Sequence, residues 1–121
     1  MIERMETPAG VIGLRATGKL TRDDYRQALE PALREAADAG EVRLVFVLTD
    51  FDGLERGAWI EDLKTGLGLG LGRRSAWKRM AMLTDTKWIR DATNMFAWAT
   101  PGDVMVGTPD QVEEAKRWAA G

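Results

Sequence analysis

Five consecutive apolar residues, Leu44-Val45-Phe46-Val47-Leu48, constrain this chain most. A strand with one solvated face alternates apolar and polar residues, whereas an unbroken run needs cover on both faces. Such a run predicts a central strand in a mostly parallel sheet with helices on either side. At 121 residues the chain suits one such domain, spanning 1–121.

The flanking segments complete an α/β order. Val11 to Thr17 alternates, with Ile12, Leu14 and Ala16 on one face, and Met1 to Glu6 can pair with it across Thr7-Pro8-Ala9-Gly10. An N-terminal hairpin is expected. Thr21-Arg22-Asp23-Asp24 reads as a helix start, Tyr25, Leu29, Leu33 and Ala36/Ala37 as its apolar stripe, and Gly40 as its end. Pro31 lies inside it and is expected to kink it or cost it a hydrogen bond. A helix from about Gly57, a strand over Met80 to Thr84 and a helix over Lys87 to Ala99 follow, the last with Trp88, Ala92, Met95 and Ala99 facing inward and Pro101 stopping it. Val104 to Val106 is a short strand. Thr108-Pro109-Asp110-Gln111 has the chemistry of a capped start for a helix that buries Val112, Ala115 and Ala119. The predicted order is ββαβαβαβα, with right-handed crossovers.

Composition removes whole classes of chemistry. With no cysteine and no histidine there is no disulfide, thiolate nucleophile, imidazole base or Cys/His zinc site. A pI near 5.2 argues against a bulk nucleic-acid binder, while leaving room for local basic patches. No cofactor or metal is expected, and no acid/base pair or nucleophile is assembled by spacing, so an enzyme is not expected. Met1 to Gly10, with Glu3, Arg4 and Glu6, resembles neither a signal nor a transit peptide, and no apolar run reaches the roughly 18–20 residues of a membrane span. The expected location is cytoplasmic.

Several segments in succession resemble the SpoIIAA-like family of STAS-type proteins: Gly18-Lys19-Leu20-Thr21 with Asp24-Tyr25, Val42 to Val45, and Asp50-Phe51-Asp52-Gly53. Ala81-Met82-Leu83-Thr84-Asp85 with Lys87-Trp88, Thr100-Pro101 with Asp103-Val104, and Glu114-Ala115 with Trp118 continue the likeness. The resemblance implies a small regulatory or binding domain, kin to anti-sigma-factor antagonists and more distantly to the CRAL-TRIO lipid-binding fold. STAS antagonists carry a phosphorylatable serine after the third strand. Here Asp50 to Ala58 contains no serine or threonine, and Ser75 is the only serine in the chain. Partner binding without a phosphoserine switch is the expectation.

Four groups of residues are candidates for function. Asp50, Asp52 and Glu55 follow the central strand, where open α/β sheets place their ligand crevice; they either meet a cation or a basic partner, or cap the next helix. With Gly53, Arg56 and Gly57 they form the expected partner-binding segment, which runs on toward Trp59. The glycine-leucine stretch 66–72 reads either as a loosened cover helix or as a lid, with Trp59, Leu63, Leu67, Leu71 and Trp88 lining an apolar site. Arg73, Arg74, Trp77, Lys78 and Arg79 either touch an anionic membrane surface or form a solvated loop paired with nearby acids. Trp77 and Trp98 are the tryptophans expected to meet a partner.

These residues predict a non-catalytic regulatory module that contacts another copy of itself, as a homodimer, or an anti-sigma-like kinase. The alternative is a carrier or sensor of a small apolar or lipid ligand held between the sheet and the Trp59–Leu71 segment.

Overall fold

The computed structural model describes residues 2–18, 22–24, 27–28, 30–50, 77–96 and 102–121. Five strands form one sheet in the order β1-β2-β3-β4-β5. They are β1 (Ile2–Arg4), β2 (Ile12–Thr17), β3 (Val42–Thr49), β4 (Trp77–Thr84) and β5 (Asp103–Gly107). Strand β1 runs antiparallel to β2, and every other pairing is parallel. The N-terminal hairpin is therefore present. Its turn closes where the Val11 N–H donates to the Pro8 carbonyl at 3.1 Å.

Among the described residues the helical segments include α1 (Arg22–Asp24), α2 (Glu30–Asp38), α3 (Lys87–Phe96) and α4 (Val112–Ala120), the last entered through a 3₁₀ turn at Pro109–Gln111. The apolar run of β3 is split between two cores, as an unbroken strand run requires. Leu44, Phe46 and Leu48 join Leu14, Ala16 and Ala32 of α2 on one face, with Ile89 of α3 packed against them. Val45 and Val47 join Ala81 and Leu83 on the other, under Ala115 and Ala119 of α4. Each fully buried valine, leucine or phenylalanine contributes about 1.5–3 kcal/mol, so this central strand anchors both layers.

Three expectations meet the structure. First, Pro31 is the second residue of α2, with Leu29 before it outside the described residues. Its ring would clash with the carbonyl of Gln27, and residues 27–28 are wound as a wider π turn there. Ala32 is buried, a position outside the predicted stripe, and Ala36 is half-buried within it. Second, the strand expected to start at Met80 starts at Trp77, which lies opposite Val42. Trp77 is 7% exposed, a core residue and not part of a surface loop. Third, α3 is rotated from its predicted face: Trp88 is 60% and Met95 66% exposed, while Ile89 packs inward.

The C-terminal start signal holds. The Thr108 N–H donates to Oε1 of Gln111 at 2.9 Å, and Ala115 and Ala119 are fully buried, with Val112 packed beside them. The approach is close: a Cβ on Gly107 would sit 2.2 Å from that same Oε1. Among the described residues no helix is long and apolar enough to cross a membrane.

Candidate functional site

The carboxyl ends of the parallel strands collect the polar residues. Thr17 of β2 lies opposite Thr49 of β3, and Leu48 opposite Thr84 of β4. Just beyond, the Gly18 N–H donates to the Asp50 carbonyl at 3.1 Å. Both residues leave their strands in the left-handed region, Gly18 at φ 71° and Asp50 at φ 51°. Aspartate tolerates that region better than most residues, yet it carries a local cost. The outcome is an exposed Asp50 carboxylate at the end of the central strand.

The neighbouring edge is built from the β4–α3 corner. Thr84 is fully buried, and its hydroxyl accepts from the Thr86 N–H at 3.1 Å. The Thr86 carbonyl accepts the first amides of α3, from Ile89 at 3.2 Å and Arg90 at 3.3 Å. Asp85 is exposed beside it and accepts from the Thr86 hydroxyl at 3.4 Å. Two carboxylates, Asp50 and Asp85, thus stand at the ends of adjacent strands.

Helix α3 extends this edge into an apolar surface. Arg90 is half-buried and donates back to the Thr84 carbonyl at 2.6 Å. Thr93 is also half-buried and donates to the Ile89 carbonyl at 2.7 Å. These polar residues occupy the inward side with Ile89, and that rotation turns Trp88 and Met95 out. The outward pair is seven positions apart, close to two helical turns, so both lie on one face. Lys87 and Asp91 pair across that surface at 2.9 Å, leaving it without net charge.

The basic segment before β4 is reassigned in part. Arg79 donates to the Trp118 carbonyl at 2.5 Å, and its guanidinium stacks 5.3 Å from the Trp118 ring centroid. Arg79 therefore serves α4, and Trp77 serves the core. Lys78 is exposed. Arg73 and Arg74 lie outside the described residues, as do Asp52, Gly53, Glu55, Arg56, Gly57, Trp59, Leu63, Leu67, Leu71 and Trp98. The helix from Gly57, the glycine-leucine stretch, the Thr21 cap, Tyr25, Leu29 and Pro101 lie outside them too. Of the expected ligand-lining set, Trp88 is described, and it stands on an outer helix face. Among the described residues no group of three or more Asp, Glu, His or Cys side chains converges as a metal site.

Residues 11–120 match the SpoIIAA-like family. The chain belongs to that family. A SpoIIAA-like fold is also found in an uncharacterized protein of the DUF3478 family from Shewanella loihica PV-4, solved at 2.25 Å. It is 29% identical, with a TM-score of 0.70, over 98% of this chain and 92% of that one. No curated protein matches. For this SpoIIAA-like protein the surface at Trp88 and Met95 is what sequence periodicity missed. The detectable signal was Ile89, an apolar residue whose inward placement makes the flanking Trp88 an outward one.

Proposed function

We propose that this SpoIIAA-like protein is a non-catalytic regulatory module that binds a protein partner through α3 and the adjoining carboxyl edge of the sheet. One observation carries the reading: Trp88 and Met95 are 60% and 66% exposed on the same face of α3. Large apolar side chains grouped in this way are typical anchors of a protein interface, where tryptophan is enriched among the residues that dominate binding. Two anchors spaced along a helix suit a partner with an apolar groove. The carboxylates of Asp50 and Asp85 suit a basic rim on that groove. No serine stands between Asp50 and Ala58, so the contact is expected to work without a phosphoserine switch there.

The test is co-purification from the native cell, comparing the wild type with a Trp88→Glu/Met95→Glu chain, then reconstitution from purified components. A partner lost by the variant, and re-formed in vitro only with the wild type, supports the reading. Identical partners for both chains would refute it, provided the variant's unfolding curve matches the wild type.

A further inference from the structure

The two edges of the sheet are treated differently. Strand β1 is three residues long and carries exposed Glu3 and Arg4, with Arg4 paired to Glu35 at 3.7 Å. Charges on a short strand are how natural proteins discourage pairing at an open edge. Among the described residues strand β5 carries one such charge, Asp103 at its start. After exposed Asp103 it reads Val104, Met105, Val106, Gly107, with no charge and no proline. Its register against β4 is unbroken from Arg79↔Asp103 to Leu83↔Gly107, so no bulge twists it away. Among the described residues β5 has a strand neighbour on one side only. Val104, Met105 and Val106 are each half-buried there.

We propose that β5 pairs antiparallel with β5 of a second copy, about a two-fold axis through Met105. This register matches all five residues of the strand to themselves: Asp103 faces Gly107, Val104 faces Val106, and Met105 faces Met105. It gives the self-complementary contact that a two-fold interface requires. It is also the register that charge favours. Centring the pair on Asp103 would oppose two carboxylates, a destabilising arrangement across strands, whereas centring on Met105 sets each against a glycine. The side chains of Val104 and Val106 then form two apolar cross-strand pairs on one face of a continuous ten-stranded sheet, twice the five of one copy. Five residues of pairing make a small interface, so the dimer is weak and concentration-dependent. This surface is separate from the outer face of α3, and the inference does not rest on the partner proposed above.

The chain has no cysteine, so a single introduced thiol reports only on its own counterpart. In the proposed register Met105→Cys places two thiols across the axis, at the roughly 4.5–5.5 Å Cα separation of opposed antiparallel residues, within disulfide reach. Asp103→Cys places them about 14 Å apart along the strand direction, beyond reach. Sedimentation velocity of the wild type over a concentration series is expected to show a reversible dimer. Mild oxidation at dimer-forming concentrations is expected to cross-link Met105→Cys and leave Asp103→Cys as monomer. Amide hydrogen exchange of the unmodified chain, dilute against concentrated, is expected to gain protection over 103–107, which keeps the test independent of how the variants fold. A monomer at every concentration overturns the proposal. So do equal cross-linking of the two variants, a dimer that cross-links through Trp88→Cys instead, and unchanged exchange over 103–107.

Discussion

Arg43 and Arg79 stand opposite one another on β3 and β4, and both donate to the end of the same helix. Arg43 reaches the Ala119 carbonyl at 2.7 Å and Arg79 the Trp118 carbonyl at 2.5 Å. The last carbonyls of α4 carry the negative end of its dipole, and beyond the Gly121 N–H that reaches the Trp118 carbonyl at 3.3 Å the two guanidiniums supply donors and positive charge there. Replacing either by methionine, which keeps an apolar stem, is expected to lower stability by about 1.5–3 kcal/mol, the scale of a hydrogen bond to a charged group. Because they serve adjacent carbonyls, the double variant should depart from additivity by at least about 0.5 kcal/mol in urea unfolding. Strict additivity would mean that the two caps act separately.

Gly107 and Gln111 form a second linked pair. A methyl on Gly107 would occupy the place of the Gln111 carboxamide oxygen and displace it from the Thr108 N–H. Gly107→Ala and Gln111→Ala are each expected to cost about 1 kcal/mol, the loss of a cap. Both changes together should cost little more than one, since the same hydrogen bond is removed. Chemical denaturation of the three variants checks this, and a double variant near twice the single cost would contradict the linkage.

The tryptophans should separate sharply. Trp77→Ala opens the core at the start of β4 and is expected to cost about 3–5 kcal/mol. Trp88→Ala, on the exposed face of α3, should stay within about 1 kcal/mol of the wild type. Thermal melts decide the matter, and comparable losses at both positions would place Trp88 in the fold rather than on a binding face.

Asp50 offers a test at the sheet edge. Its φ of 51° means that Asp50→Gly should leave stability unchanged or raise it slightly, despite the extra freedom of an unfolded glycine. Asp50→Val, β-branched in the left-handed region, should cost at least about 1 kcal/mol. Equal unfolding midpoints for glycine and valine would show that the backbone there relaxes freely.

The fold was legible because its strongest signals are long or local. Leu44 to Leu48 could be satisfied only between two layers, and Thr108 to Gln111 fixed the approach to α4 through contacts within a few residues. What escaped were places where a polar residue does the inward work. Lys78 and Arg79 disguised the first turns of β4, because the Arg79 partner is a carbonyl thirty-nine positions away. Arg90 and Thr93 hide on the packed side of α3 because each has a carbonyl to donate to, which inverted the apparent apolar face. Asp50 stands just past the end of the central strand, as the apolar run implies, while its left-handed backbone and its tie to the Gly18 N–H leave no mark in the sequence.

The clamp on α4 also imposes an order of events during synthesis. Val45, Val47, Ala81 and Leu83 leave the ribosome before the helix that covers them, residues 112–120. Until that helix docks, these four side chains lack the cover of Ala115 and Ala119, and Arg43 and Arg79 lack the carbonyls they will hold.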